Sequence, residues 1–532
     1  MSVIPMHQGE RVYQPFSARK AVRLDAIVIG SGMGGMCCAA ALAKYRKRVA
    51  VLEQHYIPGG LTHSFARKGF QWDAGVHAVG EMKAGDLPAR ILGWLGNGKI
   101  EMTSLGNPYD RFRFFDGTSV EFADTKAAYV AMLKARFPEQ AGRIDRYIAT
   151  VDKAGKEALA FFALKSFPQG VDVLISRLLK LARRDFWAVT TAQMLDEIGI
   201  EGKLRTVLTV HWGYIGSPPS ESSFAVHALT HTHFWNGAYY PRGGSKALAE
   251  HILANVVDAG GEVLTKAAVD QIIVKKGRAI GVRTKSGEEL FAKVVISAAG
   301  AKATVDKLLP PELRKSPWAS AISRLKSSPP YICLNLGFEG DIRAAGASAA
   351  NLWLYSTWSN EEKTWAVGDP KSVAPILYIS FPSLKDVDHL PGPRGKQTGE
   401  CVTFVDWSAF ARWEGTESGK RDVDYEELKT QIEQRLIAQL TQAMPELMSK
   451  LVYHELSSPL TAAHFVGAHQ GAIYGLEATP ERFACKELRT RTPIPGFYLT
   501  GVDVGSLGVV GGMTSGMLTA ASIDPRIYRH LI

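Results

Sequence analysis

Three observations predict an α/β fold made of two interleaved domains. An apolar run at residues 26–29 feeds into glycines at 30, 32, 34 and 35, and a small-residue helix pattern follows. A meander of short alternating strands with tight polar turns occupies residues 262–297. A last strand, 497–500, again runs into a glycine-rich turn and a small-residue helix near the C-terminus. The first and last stretches read as two halves of one Rossmann-like, nucleotide-binding domain. The segments between these stretches are expected to build a second, α+β domain.

The front signature places its glycines where a dinucleotide needs them. Gly30 permits the tight turn and Gly32 lets a pyrophosphate approach the backbone. Gly35 lets helix and strand pack closely, and Gly34 continues the small surface. The helix start offers unpaired N–H groups and its positive dipole end to phosphate. A second strand, 48–52, ends at Glu53, where a carboxylate can accept hydrogen bonds from a ribose.

A helix at 246–258 precedes the meander, whose strands are expected at 268–274, 279–284, 290–292 and 294–297. Further strand-like runs fall at 331–338, 352–355, 376–381 and 402–405, and a long helix at 425–443. This pattern assigns 25–82, 241–301 and 461–532 to the nucleotide-binding domain and 83–240 and 302–460 to a substrate domain. Residues 1–24 form an N-terminal extension. No second glycine signature follows another strand, which argues against a separate nicotinamide-nucleotide domain.

After Glu53 come Q-H-Y-I-P-G-G-L-T-H-S-F and G-F-Q-W-D-A-G-V-H-A-V-G. This continuation resembles the flavoprotein superfamily of amine oxidases and phytoene desaturases, whose nucleotide domain is glutathione-reductase-like. Within it, G-G-x-T-H and D-x-G-x-H are similar to the branch of retinol saturases, carotenoid isomerases and bacterial carotene desaturases. Y-Y-P-R-G-G-S-K-A-L (239–248), Y-G-L-E-A-T-P-E-R-F (474–483) and G-F-Y-L-T-G-V-D-V (496–504) extend the resemblance over nearly the whole chain. The resemblance implies FAD as cofactor, with Gly59 and Gly60 along the flavin and Val269 on the adenine side. Gly501 and Asp503 would hold the ribityl–phosphate part, and Gly511, Gly512 and Met513 would approach the isoalloxazine.

Flavin chemistry on a carbon–carbon bond also needs a group that manages a proton. His63, His77 and Tyr474 are the candidates. The expected activity is saturation, desaturation or isomerisation of a long unsaturated lipid, isoprenoid or fatty-acyl, with the electron partner left open. An unsaturated fatty-acyl desaturase of the same fold is one alternative. A non-catalytic prenyl-lipid carrier is another, although a carrier would be free to lose the glycines and Glu53. An amine oxidase calls for an aromatic cage beside the flavin, which the sequence does not place.

Composition adds limits. The chain has 532 residues, 46% of them hydrophobic, and a formal net charge of +10. No basic–aromatic module for nucleic acid accompanies that charge. Five cysteines in no metal or disulfide spacing suggest a reducing compartment, and no secretory signal or bilayer-spanning run is expected. Localisation is therefore expected to be cytoplasmic, with a peripheral site on the inner face of the membrane. Residues 171–185, on a helix, put Val171, Leu174, Ile175, Leu178, Leu179 and Leu181 on one face and Arg177, Lys180, Arg183 and Arg184 on the other. Such a helix suits an anionic membrane surface, where each basic residue contributes roughly 1 kcal/mol. Phe161, Phe162, Phe167, Phe186 and Trp187 are expected around it. The spacing H-A-L-T-H-T-H (227–233) lacks a carboxylate partner and is read, with His211 and its aromatic neighbours, as lining a lipid tunnel rather than a metal site.

Overall fold

The computed structural model describes residues 6–7, 10–19, 23–167 and 185–531. An eight-stranded sheet carries the nucleotide-binding signature. Its order is Val269–Lys275, Arg278–Thr284, Glu289–Ser297, Leu24–Ile29, Val49–Leu52, Glu262–Thr265 and Gln14–Pro15, with Phe497–Leu499 paired to Glu289–Ser297. The central pairings are parallel, Val28 lying opposite Val51 on one side and Ile296 on the other. Ile27, Val28, Val49, Ala50 and Val51 are fully buried, as expected for parallel strands covered on both faces.

Residues 290–292 and 294–297, expected as two strands, form one. Its first half pairs antiparallel with Arg278–Thr284 and its second half parallel with Leu24–Ile29. Lys293 simply points to solvent between them, where it pairs with Asp25. The fork joins the meander to the parallel core.

The helix Met33–Lys44 has small residues because it is crossed closely. A Cβ on Gly516, in the helix Gly508–Ile523, would lie 2.5 Å from the Gly34 carbonyl oxygen and 3.0 Å from Cys37 Cβ. Cys37 and Cys38 are buried free thiols in this contact, and burial pushes both pKa values up.

A second sheet has seven strands in the order Ser119–Phe122, Asp110–Phe114, Asn351–Tyr355, Ile376–Ser380, Lys396–Phe404, Tyr331–Glu339 and Leu451–Ser457. The strand expected at 402–405 is the end of Lys396–Phe404. Gly399 and Glu400 break its apolar pattern, and Glu400 is wholly buried. The helices Ala141–Lys165 and Phe224–His233 pack together beside this sheet.

The proposed membrane-contact helix, 171–185, lies outside the described residues except for Asp185. Phe162, Phe186 and Trp187 are buried, and Phe161 stacks on Trp187 at 4.3 Å. Among the described residues no helix is long and apolar enough to cross a membrane.

Candidate active site

A cavity of about 1100 Å³ runs from the first glycine turn to the inner face of the second sheet. Two helix N-termini open onto it. Gly30 to Gly34 line it at the start of Met33–Lys44, and Gly505 to Gly511 at the start of Gly508–Ile523. Both present unpaired N–H groups to whatever carries phosphate. Gly30 has φ +91°, and nothing lies within 4 Å of a Cβ built on Gly32, which leaves its backbone open to the cavity. Gly35 faces the other way. A Cβ there would sit 2.1 Å from the Gly30 carbonyl oxygen, so this glycine serves helix–strand packing and does not line the cavity.

Glu53 organises the adjoining loop. Its Oε2 accepts from the Ser31 amide at 3.1 Å and the Ser31 hydroxyl at 2.5 Å, and its Oε1 from the His55 amide at 2.9 Å. Ser31 Oγ in turn accepts from the Gly59 amide at 2.8 Å. The carboxylate retains lone pairs for a ribose and borders the cavity. The Ala267 amide donates to the Glu53 carbonyl at 2.8 Å, which sets Ala267 and Val269 on the cavity wall beside it. Gly60 also lines the cavity, whereas Gly59 stands behind it, against Thr62 and Ala249.

The C-terminal half is held by the 474–483 motif. Asp503 is buried, its Oδ2 accepting from the Ala301 amide at 2.7 Å and its Oδ1 from the Leu476 amide at 2.8 Å. A Cβ on Gly475 would lie 2.2 Å from Oδ1. Arg482, which sequence reasoning passed over, is 1% exposed and donates to the carbonyls of Leu476, Val502, Asp503 and Gly505. Asp503 stitches three segments together, and it borders the cavity with Gly501 and Val502. Gly511 lines the cavity. Gly512 packs on Met33 Cβ, Met513 is fully buried in the core, and neither reaches the cavity wall.

At the second sheet the wall is aromatic. Tyr214, Tyr331, Trp353, Tyr378, Phe404 and Tyr474 line it. The three proton-handling candidates differ. His63 stands behind the wall, its Nδ1 donating to the Gly60 carbonyl at 2.5 Å, and burial lowers its pKa. Tyr474 lines the cavity but donates its hydroxyl to the Gly213 carbonyl at 3.0 Å, and burial pushes its pKa up. His77 lines the cavity with Nδ1 turned inward, 2.9 Å from Glu400 Oε2.

Behind His77 lies a buried polar cluster. Glu400 Oε1 accepts from the Asp73 amide at 3.1 Å, so one carboxylate spans both ends of the D-x-G-x-H motif. Asp73 accepts from Ser64, Tyr240 and the Ser245 amide, which explains the Y-Y-P-R-G-G-S motif. Lys385 donates to the His77 carbonyl at 2.7 Å, to Ser380 at 2.7 Å and to Asn351. Asn351 also binds Asp110 and Tyr378, and Asp110 accepts from Tyr214 and faces His211.

Burial, reinforced by Glu400, pushes Asp73 up to about 6, and burial pulls Lys385 down to about 7 against the three nearby carboxylates. Below pH 4 Asp73 is protonated folded or unfolded. As pH rises from about 4 to 6 the unfolded chain releases this proton first, so stability falls. From about 7 towards 10.5 the unfolded state holds the Lys385 proton more tightly, so stability rises with pH. The apparent melting temperature should therefore climb between pH 7 and 9, and Lys385→Met should flatten that climb.

Three of the histidines expected along a tunnel are core residues. His227 bonds Tyr147, His231 bonds the Leu208 carbonyl and His211 meets Asp110; burial lowers the pKa of His227 and His231. They alternate with aromatics because helix Phe224–His233 packs on two sides. Only Tyr214, His233 and Phe234 of that group reach the cavity. Among the described residues no group of three or more His, Cys, Asp or Glu is arranged to hold a metal ion.

Two helix N-termini, a carboxylate bordering the cavity between them and a chamber beyond suit a dinucleotide-dependent enzyme with room for a second ligand. The chain belongs to the flavin containing amine oxidoreductase family, whose model matches residues 33–524. It is similar over its length to all-trans-retinol 13,14-reductase of Rattus norvegicus, at 34% identity over 97% of this chain and 89% of the relative. Chloroplastic prolycopene isomerase of Arabidopsis thaliana is 26% identical over 93% of this chain and 82% of its own. Among solved structures, putrescine oxidase bound to putrescine superposes with a TM-score of 0.62 at 17% identity, covering 95% of this chain and all of the other.

The protein is a flavin-dependent oxidoreductase and its cofactor is FAD. The open backbone at Gly32 and the free lone pairs of Glu53 fit the nucleotide half, and the second glycine turn at 501–511 fits the remainder. When bound, the flavin accepts or donates a hydride. The residues of the two glycine turns would hold it.

Proposed function

We propose that this enzyme acts on a carbon–carbon bond of a long unsaturated lipid, retinoid- or carotenoid-like in preference to fatty-acyl, by saturation, desaturation or isomerisation. The supporting observation is one continuous cavity that passes from the nucleotide turns into a chamber walled by aromatic and aliphatic side chains. Leu87, Ala158, Phe162, Val226 and Leu229, from three helices, extend that apolar lining. The names of the relatives, a retinol reductase and a prolycopene isomerase, point to the same substrate class. In this reading Gly30, Gly32, Gly34, Glu53, Gly60, Val269, Gly501 and Gly511 border the cofactor directly. Asp503 both borders the cofactor and ties its loops together, Gly35, Gly59 and Gly512 shape those loops, and His77 handles the proton.

The test is anaerobic. Oxidised holoenzyme is mixed with all-trans-retinol, with a carotene and with an unsaturated fatty acid, and the dithionite-reduced form with the same three. Bleaching of the oxidised flavin band, or its return in the reduced enzyme, together with a product two hydrogens lighter or heavier, establishes the redox reading. A geometric isomer of unchanged mass, formed by the reduced enzyme, establishes isomerisation. Putrescine or benzylamine bleaching the flavin, with all three lipids inert, would replace this reading with amine oxidation. Delivery from an anionic membrane belongs to the same proposal, and substrate in phosphatidylglycerol vesicles should turn over faster than in phosphatidylcholine.

A further inference from the structure

We propose that Glu400 is the positioning residue for His77, holding its ring so that the proton moves between Nε2 and a substrate carbon. This rests on the carbon–carbon-bond reading above. The other two carboxylates of the buried cluster are fully engaged. Asp73 has Ser64, Tyr240 and Ser245, and Asp110 has Asn351, Tyr214 and His211. Glu400 is different. One oxygen takes the Asp73 amide, and the other, with no hydrogen-bond partner elsewhere, lies 2.9 Å from Nδ1 of His77 but off the line of an aligned hydrogen bond. Conversely, His77 Nδ1 is buried and makes no hydrogen bond to any other group. The residue is fixed at two more points, its carbonyl by the Lys385 ammonium at 2.7 Å and its ring edge by Tyr378 at 5.1 Å. Nε2 is then the ring nitrogen left for the cavity that His77 lines.

A carboxylate on one imidazole nitrogen fixes the tautomer and stabilises the imidazolium when the other nitrogen carries a proton. In the saturating direction the Nε2–H bond breaks as a C–H bond forms at one alkene carbon from the π pair. The other carbon receives a hydride from the reduced flavin, which is thereby oxidised by two electrons. His77 is left neutral with its remaining proton on Nδ1, facing Glu400. Desaturation is the same step reversed. Lys385 balances one of the three buried carboxylates, and Asp73, Tyr331, Cys333 and Tyr378 are the other titratable groups facing Glu400 or His77.

The test uses FAD-loaded enzyme labelled with ¹⁵N-histidine, the His77 signals being identified by their loss in His77→Gln. Wild type should hold neutral His77 as the Nδ1–H tautomer. Glu400→Gln should lose that preference while keeping FAD content and melting temperature close to wild type. With all-trans-retinol as probe, its kcat should fall at least about 10²-fold with KM little changed, and Glu400→Asp should recover part of the loss. An Nε2–H tautomer in wild type overturns the proposal without any variant. So does a Glu400→Gln enzyme whose tautomer shifts while its kcat does not. If wild type turns over no alkene, the lipid reading fails on its own, and the tautomer still decides whether Glu400 positions His77.

Discussion

Glu53→Ala is expected to purify largely free of FAD, with the dissociation constant raised by two to three orders of magnitude. The carboxylate does two things at once. It offers charge-assisted hydrogen bonds to a ribose, each contributing about 1.5–3 kcal/mol. It also binds the Ser31 amide and hydroxyl, and Ser31 in turn holds the Gly59 amide, so the loop carrying Gly60 depends on it. Losing both roles costs roughly 3–4 kcal/mol of cofactor binding. Glu53→Gln should fall between, because an amide oxygen can still accept from Ser31. The measurement is flavin content after gel filtration, followed by titration of the apoenzyme with FAD. A Glu53→Ala enzyme that keeps stoichiometric FAD would remove Glu53 from the site.

What could be read in the sequence, and what could not, divides along a physical line. The glycine turn, Glu53 and the strand–turn–helix at 497–523 are local: each is a short stretch whose backbone geometry dictates its residues. Helix Lys246–Asp258 was legible to the residue for the same reason. Glu400 carried no such signal. It lies mid-strand in a segment with no recognisable motif, and its importance arises only because the second sheet brings it between Asp73 and His77, more than 300 positions away. Lys385 is similar, since a buried lysine cannot be told from a surface one without its carboxylate neighbours. The histidines at 211, 227 and 231 misled in the opposite sense. Histidines alternating with aromatics look like a ligand-lined wall, yet each has a hydrogen-bond partner inside the core. Met513 followed the same logic: adjacency to cavity-lining Gly511 does not survive the 100° turn per helical residue.

Arg482→Met should have the largest effect on the fold and should weaken FAD binding through it. The guanidinium is buried without a carboxylate in contact. Burial pushes its pKa down to about 10, Asp503 acting against that shift, and its charge is met by four carbonyl dipoles. Those carbonyls belong to the 474–483 motif and to the 501–505 turn, so one side chain clamps the two segments that enclose Asp503. Methionine fills most of the volume but leaves the carbonyls without donors, a loss of roughly 3–5 kcal/mol. Lysine restores the charge but not the planar fork, and should recover little. The contrast with Glu53→Ala is diagnostic. There the apoenzyme should melt within a few degrees of wild-type apoenzyme, because its main loss is ligand contact. In Arg482→Met the apoenzyme itself should melt well below wild type, and saturating FAD should restore part of the difference by binding only the folded state. An Arg482→Met apoenzyme as stable as wild type would mean the turn holds its shape without the clamp, and that Asp503 alone ties the two halves of the cofactor site together.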